Sequence, residues 1–439
     1  MRFFDREDEI ATLRDIREKS QASAKFTVIT GRRRVGKTQL VKRAMEDRPY
    51  LYLYVSRKSE KDLCQGFQAE MAEVLGLNLV GRAEKFEMLF KAVVEESKRR
   101  PITLILDEFQ EFYRVNPSVF SAMADIWDSA AKESRLNLIV CGSVNRLINK
   151  IFKDQSEPLY GRCTGFMHVN PFGISVLKEI LGEYSPKFTQ DDLLALWTMT
   201  GGVARYVEQL MDDGAVTRDK MFDSIFRRDS AYMEEGMAIL VQEFGKEYGT
   251  YFSILSAIAA GNTEYSQIKN EVGGDVGAFL AKLESEYGLI KRKVPIFASP
   301  TSKRSVYEID DCFFRYWFRF VWKYQYLKEL QRFDVMRSYA ERDYAVFSGK
   351  ALEGYFRWKF IGDCRYTRMD SWWDRKGENE IDLVAEDELA KTIDFYEIKR
   401  DFERIDLGKL KLKAERFFEK HPELKSRACN YYGLSLSDM

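Results

Sequence analysis

A glycine-rich segment, GRRRVGKT, has the residue types and the spacing of a phosphate-binding loop. Gly31, Gly36, Lys37 and Thr38 satisfy the pattern G-x-x-x-x-G-K-[ST], between the apolar run FTVIT and the helical pattern TQLVKRAM. Glycines let backbone N–H groups surround phosphates at a helix N-terminus, the lysine reaches the β- and γ-phosphates, and the hydroxyl binds Mg²⁺. The segment predicts a nucleoside triphosphate and Mg²⁺ site made of Gly31, Arg32, Arg33, Arg34, Val35, Gly36, Lys37, Thr38 and Gln39.

Two carboxylates end a second apolar run, ITLILDE. They belong to Asp107 and Glu108. At the end of a buried strand, the first can lie beside the metal and the second near the attacking water. Acidic residues also end strands at solvated edges, but the phosphate loop upstream favours the interpretation that Glu108 is catalytic and Asp107 is a nucleotide and Mg²⁺ ligand.

Two further residues are candidates for contacting the γ-phosphate. Ser143 ends the run LNLIVCGS. At the end of this strand its hydroxyl would lie between the first two motifs, which is the position of a sensor of the γ-phosphate. Arg162, in LYGRCTG, is either an arginine finger supplied to a neighbouring subunit or a member of a surface ion pair. The finger alternative implies a homo-oligomer.

These residues need a parallel sheet to position them. Apolar runs alternate with amphipathic segments over the first part of the chain, which predicts an α/β fold with a parallel P-loop NTPase sheet. A helical stretch then predicts a lid, and short helical patterns before the hairpin-like IKRKVPIFASPTSKRSVYEI predict a winged helix. The aromatic block CFFRYWFRFVWKYQYL predicts a buried helix. The predicted domains are a P-loop core at 1–170, a helical lid at 171–242, a winged helix at 243–311, connecting helices at 312–343 and a C-terminal α/β domain at 344–439.

Composition and charge exclude several classes of protein. The 439 residues are 45% hydrophobic and 31% charged, which excludes a disordered chain, and the 69 basic and 69 acidic side chains cancel. No apolar run approaches the ~20 residues that span a bilayer, and the opening MRFFDREDEI is too charged for a signal peptide. Six cysteines without a CxxC pair and only two histidines argue against a zinc ribbon or a histidine-rich metal site. We expect a cytoplasmic protein that does not bind membranes.

Taken together, the motifs resemble the prokaryotic archaeal-type ATPases, a branch of the AAA+ and signal-transduction NTPases. FFDREDEIATL, GRRRVGKT, ILDEFQE, IVCGS, LYGR and TGGVARYVEQL carry the resemblance, and YEIDDCFFRYWFRFV and WWDRKGENEIDLVAED extend it into the tail. It implies an ATPase that binds ATP and Mg²⁺ at the two motifs above. Gly201 and Gly202 match the lid motif, whereas Ala204 stands where the family commonly has proline, ahead of Arg205.

By the same resemblance, the tail is restriction-endonuclease-like. Asp382 and the run Glu397-Ile398-Lys399 lie on consecutive strand patterns and look like the D…ExK core of PD-(D/E)xK nucleases, and Glu353 matches the extra acidic residue. Glu353, Asp382 and Glu397 are then ligands of a second Mg²⁺ or of Mn²⁺, and Lys399 orients water or stabilises developing charge. Glu397 and Lys399 share one face of their strand because they are two residues apart.

Two classes of function remain open: an ATP-driven enzyme acting on DNA, and a nucleotide-dependent switch whose tail binds or signals without cleavage. The predicted recognition helix, GDVGAFLAKLESEYG, carries only Lys282 as a basic residue, so base-specific reading is not expected. DNA would be bound through its phosphates, and docking of a protein partner is the alternative. The basic residues around the predicted hairpin are Lys291, Arg292, Lys293, Lys303 and Arg304.

Overall fold

The computed structural model describes residues 1–143, 145–245, 248–302, 304–374 and 377–439. These residues form two compact units. The first unit comprises Arg2–Pro171 and Val203–Arg205, and the second comprises Met1, Phe172–Gly202 and Tyr206–Met439. Lys303 of the predicted hairpin lies outside the described residues.

The described residues of the first unit form a five-stranded parallel sheet with the order β2-β3-β4-β1-β5. Its strands are β1 (Lys25–Thr30), β2 (Leu51–Tyr54), β3 (Ile102–Asp107), β4 (Leu136–Gly142) and β5 (Gly165–His168). Strands β1 to β4 coincide with the predicted apolar runs, and β5 was not predicted. The parallel order brings the carboxyl ends of β1, β3 and β4 to one edge, where ligands bind in open α/β sheets.

Helices cover both faces of this sheet, because its strands are apolar on both sides. One face packs Leu13, Leu40 and Val41 against Ile29 and Ile139, and the other packs a larger set that includes phenylalanines of the helices after β2 and β3. The helices are α1 (Glu7–Lys19), α2 (Lys37–Met45), α3 (Glu60–Leu75), α4 (Phe86–Arg99), α5 (Phe112–Val115), α6 (Ser118–Ala130) and α7 (Asn145–Lys153).

The second unit begins with helices and continues through a hairpin into a mixed sheet. The first part of the aromatic block forms the predicted buried helix, Cys312–Phe320, with Tyr316 and Trp317 buried and the Asp311 carboxylate capping its first turn. The helices are α8 (Ile174–Tyr184), α9 (Gln190–Thr200), α10 (Ala204–Asp212), α11 (Arg218–Ile225), α12 (Ala231–Phe244), α13 (Tyr248–Ala260), α14 (Tyr265–Val272), α15 (Gly277–Ser285), α16 (Cys312–Phe320), α17 (Gln325–Glu329), α18 (Phe333–Gly362) and α19 (Leu407–Lys420). The antiparallel hairpin pairs β6 (Ile290–Lys293) with β7 (Val306–Ile309).

The described part of the tail contains a four-stranded sheet with the order β11-β10-β9-β8. Strands β8, β9 and β10 are antiparallel, and β11 is parallel to β10. Tyr396 of β10 lies opposite Leu383 of β9, so the two predicted strands are neighbours. The strands are β8 (Arg368–Trp373), β9 (Glu380–Asp387), β10 (Thr392–Ile398) and β11 (Ala428–Leu434).

The loop between β6 and β7 packs into the core of this mixed sheet. The backbone N–H of Ile296 donates to the carbonyl of Ser371 on β8 at 3.0 Å, and the Ile296 side chain is buried in a cluster with Trp372. Phe297 contacts the ring of Phe417 on α19, with centroids 5.9 Å apart. The hairpin loop is therefore an integral part of the tail core.

Candidate functional site

The phosphate-binding segment follows β1 and leads directly into α2. Gly31 has φ +148°, and a Cβ there would lie 2.4 Å from the Val169 carbonyl oxygen, so only glycine fits at this position. Gly36 precedes α2, and the Lys37 ammonium group donates to the carbonyl oxygens of Gly31 and Arg32 at 2.8 and 2.9 Å. A cation and a helix N-terminus thus meet inside one loop, an arrangement that stabilises bound phosphate.

The rest of the predicted loop lies in the same turn. Val35 is buried, and the Arg34 carbonyl accepts a hydrogen bond from the Arg205 backbone N–H at 3.2 Å. Sequence reasoning did not predict this contact, although the lid motif identified Arg205 as a residue of interest. Arg32 and Arg33 complete the loop, and Gln39 lies in the first turn of α2.

Asp107 at the end of β3 is bound directly to the loop threonine. Its Oδ2 accepts hydrogen bonds from Thr38 Oγ1 at 2.6 Å and from Tyr52 OH at 2.8 Å. Burial raises the pKa of Tyr52, and Asp107 adds to that rise, so this hydroxyl stays protonated and acts as a donor. Tyr52 was missed from the sequence, where it is one tyrosine in the apolar run YLYLYV.

Glu108 is held by neighbouring polar side chains. Its backbone adopts φ 53° and ψ 40°, in the left-handed region that is uncommon for a residue with a side chain. Ser143 Oγ lies 2.8 and 3.1 Å from the two carboxylate oxygens, and Gln110 Nε2 also donates to the carboxylate. The structure thus brings Ser143 and Glu108 together at adjacent strand ends, whereas the contribution of Gln110 was not anticipated.

Arg162 forms an ion pair within its own chain. Its guanidinium group donates to both carboxylate oxygens of Asp128, with Nη2 to Oδ2 at 2.6 Å and Nε to Oδ1 at 3.0 Å. Asp128 is exposed and Arg162 is partly so. This geometry matches the ion-pair alternative for the isolated chain, and the finger role stays a prediction that requires Arg162 to leave Asp128.

In the tail, the D…ExK residues meet across β9 and β10. Lys399 Nζ donates to Asp382 Oδ2 at 2.8 Å and lies 4.0 Å from Glu397 Oε1. Asp382 also accepts from the Ile398 backbone N–H at 2.7 Å, and Glu397 accepts from the Asp406 N–H at 2.6 Å. Burial acts to lower the pKa of Lys399, but the two carboxylates outweigh it and the pKa is raised, so Lys399 is a cation.

Glu353 is paired with a cation of its own helix. It pairs with Lys350 at 2.8 Å. Burial raises the pKa of Glu353 to about 7; Lys350 opposes this rise, and the nearby Asp382 adds to it. No group of three or more His, Cys, Asp or Glu side chains within the described residues is arranged to hold a metal ion. The three predicted tail ligands therefore do not converge in this conformation, although their oxygen donors suit Mg²⁺ or Mn²⁺. Metal binding there stays a prediction.

Two of the basic residues of the hairpin, Arg292 and Lys293, are engaged within the chain. Lys293 pairs with Glu308 at 2.7 Å, and Arg292 donates to the Ser302 carbonyl at 2.9 Å. With the hairpin loop packed in the tail core, this segment differs from a free DNA-contacting wing.

Two families match the sequence. One, described as an ATPase domain predominantly from Archaea, covers residues 3–210, and the other, archaeal and bacterial proteins of unknown function, covers residues 317–408. The uncharacterized protein MJECL04 of Methanocaldococcus jannaschii is 30% identical over 420 residues, which are 93% of this chain and 90% of that protein. The chain belongs to the archaeal ATPase family.

Solved structures share the fold of this ATPase. The Walker-type ATPase PABY2304 of Pyrococcus abyssi has a TM-score of 0.55 at 20% identity, over 72% of this chain and 96% of that chain. The ORC2 protein of Aeropyrum pernix has a TM-score of 0.51 at 14% identity, over 77% of this chain and 95% of that chain. In the described part of the ATPase, no helix is long and apolar enough to cross a bilayer.

Proposed function

We propose that the chain binds Mg²⁺ and ATP at the phosphate loop and hydrolyses ATP with Glu108 as the catalytic carboxylate. The 2.6 Å contact between Thr38 and Asp107 carries this proposal, because it brings the hydroxyl and the carboxylate to one point beside the loop. Hard oxygen donors of this kind, few in number and completed by substrate phosphates, are typical of Mg²⁺ sites in ATPases. Mg²⁺ bound there would neutralise negative charge on the phosphates.

Different residues of this site bind the phosphates and orient the attacking water. Lys37 and the backbone N–H groups from Gly31 to Gln39 bind the phosphates, and Glu108 orients the attacking water through its carboxylate. Ser143 and Gln110 hold that carboxylate in place. We assign Ser143 a positioning role on Glu108 in addition to its predicted contact with the γ-phosphate.

A second candidate function is cleavage of a nucleic-acid phosphodiester in the tail. The contact of Lys399 with Asp382 favours it, because the cation lies beside the carboxylates where charge would develop on a phosphate. Asp382 and Glu397, with Glu353, are the residues that would hold Mg²⁺ or Mn²⁺. The alternative is a nucleotide-dependent switch whose tail binds DNA or a protein partner without cleaving.

The five-domain division with boundaries at 170, 242, 311 and 343 belongs to the same proposal. Helices α13, α14 and α15 followed by the β6–β7 hairpin support a winged helix at 243–311. We propose that this region and the tail act together on DNA.

One assay tests the functions together. Purified chain is incubated with ATP, Mg²⁺ and plasmid or single-stranded DNA, while phosphate release and DNA integrity are followed in the same reaction. Phosphate release that requires Mg²⁺ is the expected result for the ATPase, and nicked or shortened DNA is the expected result for the tail. Phosphate release with intact DNA in both ATP and ADP would support the switch, and no phosphate release would contradict the ATPase assignment.

Replacement of Arg162 separates the two alternatives for that residue. If it acts as a finger across a subunit boundary, Arg162→Ala lowers the ATPase rate by about 10³-fold or more while ATP affinity is retained. Asp128→Ala is the matched control, since it breaks the same ion pair and leaves the guanidinium group. We expect this control to keep its ATPase rate, and the wild-type rate per subunit to rise with protein concentration. Equal behaviour of the two variants would leave Arg162 as an ion-pair residue, with an effect on stability below about 1 kcal/mol.

A further inference from the structure

A cavity of about 210 Å³ lies within the second unit, at the candidate tail site. Its lining includes Glu353 and Asp382 of the tail, Lys291 and Lys293 of the hairpin, and Arg315 of α16. Asp382 and Glu353 are therefore not enclosed by tail residues alone. The hairpin strand β6 and helix α16 contribute cations to the same space.

Most of these cations are neutralised by a carboxylate. Lys293 pairs with Glu308 at 2.7 Å, and Lys350, which also lines the cavity, pairs with Glu353 at 2.8 Å. Arg357 in the lining pairs with Asp370. Such pairs have little charge left to offer an incoming anion.

Lys291 and Arg315 differ from them. Neither has an ion-pair partner in the part of the chain that the structure describes, and Lys291 is exposed. Arg315 Nε is buried and has no hydrogen-bond partner among the described residues, while its guanidinium group lies 5.7 Å from the centre of the Phe347 ring. A buried guanidinium N–H without an acceptor costs free energy unless a ligand supplies one, and phosphate is the acceptor that a planar guanidinium group recognises best.

The dimensions of the cavity restrict the ligand. At roughly 30 Å³ for each water, its volume corresponds to about seven water molecules. This accommodates a phosphate and part of one nucleotide, whereas the two strands of a duplex would have to remain at the mouth of the cavity. Ile296 anchors the hairpin loop in the tail core, and this contact holds strand β6, which carries Lys291, beside the cavity.

We propose that Lys291 and Arg315 form a phosphate-binding wall that presents one nucleotide of a single strand to Asp382, whose carboxylate contacts Lys399 at 2.8 Å. This inference rests on the proposed role of the tail in nucleic-acid cleavage, and it adds two positioning residues from outside the tail together with a preference for single-stranded nucleic acid. In this proposal the phosphate would lie between the cations of the hairpin and helix α16 on one side and Asp382 on the other.

Binding is measured without cleavage, so that its failure is distinguishable from failure of the nuclease proposal. A fluorescein-labelled ten-residue oligothymidylate is titrated with the full chain in EDTA, and fluorescence polarisation is followed at several salt concentrations. We expect Lys291→Ala and Arg315→Gln each to weaken binding by about tenfold or more. The double variant should lower the slope of log affinity against log salt by about 1.4, because each phosphate of a single strand that the protein no longer neutralises accounts for about 0.7.

The controls identify what the cavity recognises. Lys420→Ala removes an exposed cation of α19 outside the cavity lining and should bind as the wild type does. Arg315→Lys should recover part of the affinity that Arg315→Gln removes, which separates the effect of charge from a folding defect. A duplex of the same length should compete at least tenfold less well. Wild-type affinity in both Lys291→Ala and Arg315→Gln, equal competition by the duplex, or stronger displacement by polyglutamate would each overturn the proposal, whether or not the tail cleaves DNA in Mn²⁺.

Discussion

Glu108→Gln is expected to bind ATP as the wild type does and to hydrolyse it at least about 10²-fold more slowly, because loss of a positioned catalytic carboxylate costs a factor of that order. The substitution keeps the size of the side chain and an oxygen that can accept from Ser143. Thr38 and Asp107 remain in contact, so the residues proposed to bind Mg²⁺ are unchanged. Equilibrium binding of a fluorescent ATP analogue and steady-state phosphate release measure the two properties separately.

Lys37→Ala is the matched variant with the opposite defect. It removes the only side-chain ammonium group of the predicted loop, and we expect ATP affinity to fall by about tenfold or more, the loss typical of a charged hydrogen bond. Wild-type affinity in Lys37→Ala would show that the phosphate loop is assigned incorrectly. Undiminished hydrolysis in Glu108→Gln would move the catalytic role to another carboxylate.

Asp382→Ala and Lys399→Ala are each expected to abolish cleavage of DNA, to below about 1% of the wild-type rate, while ATP hydrolysis is retained. Both losses are required because the carboxylate and the cation act on one phosphate, where removal of a single charge-stabilising group typically costs about 10²-fold or more. Cleavage is measured with Mg²⁺ and Mn²⁺ on plasmid and single-stranded DNA. The ATPase rates of the two variants are measured in parallel, because the proposed ATP site lies in the other compact unit and should be unaffected.

Two controls guard against loss of folding in the tail. Asp382→Asn keeps an acceptor for the Ile398 N–H and removes the charge, so it should lose cleavage with an unchanged unfolding temperature. Glu388→Gln removes an exposed carboxylate just beyond β9 and should cleave normally. Wild-type protein that leaves every form of DNA intact in ATP and in ADP would contradict the nuclease proposal and favour the switch.

Local patterns were sufficient to predict strands β1 to β4 and the polar residues that follow β1, β3 and β4 at one edge of the sheet. The strand, loop and helix around Lys37 follow from glycine spacing and apolar periodicity, which are properties of consecutive residues. Partners from distant segments could not be predicted in this way. Asp128 faces Arg162 only because α6 packs beside the segment after α7, and Tyr52 reaches Asp107 only because β2 pairs with β3.

The tail shows the same limit. Strands at EIDLVAE and TIDFYEIK follow from local patterns. Their pairing in the structure brings Asp382 to Lys399, as the resemblance implied. The local patterns did not indicate β8, whose sequence RMDSWW mixes charged and aromatic residues, or the pairing of Glu353 with Lys350. Those contacts depend on side-chain packing between segments that are far apart in the sequence.

The burial of Ile296 in the tail core has a consequence for how this protein can be divided. A fragment that begins at residue 344 would contain the whole mixed sheet but would lack the two apolar side chains, Ile296 and Phe297, that pack against it. Trp372 and neighbouring apolar groups would then face water, at a cost of about 25 cal/mol for each Å² of apolar surface exposed. The tail is thus not an independently folding domain with a boundary at residue 344. Recombination or truncation between the hairpin and the mixed sheet would divide one hydrophobic core into two incomplete parts.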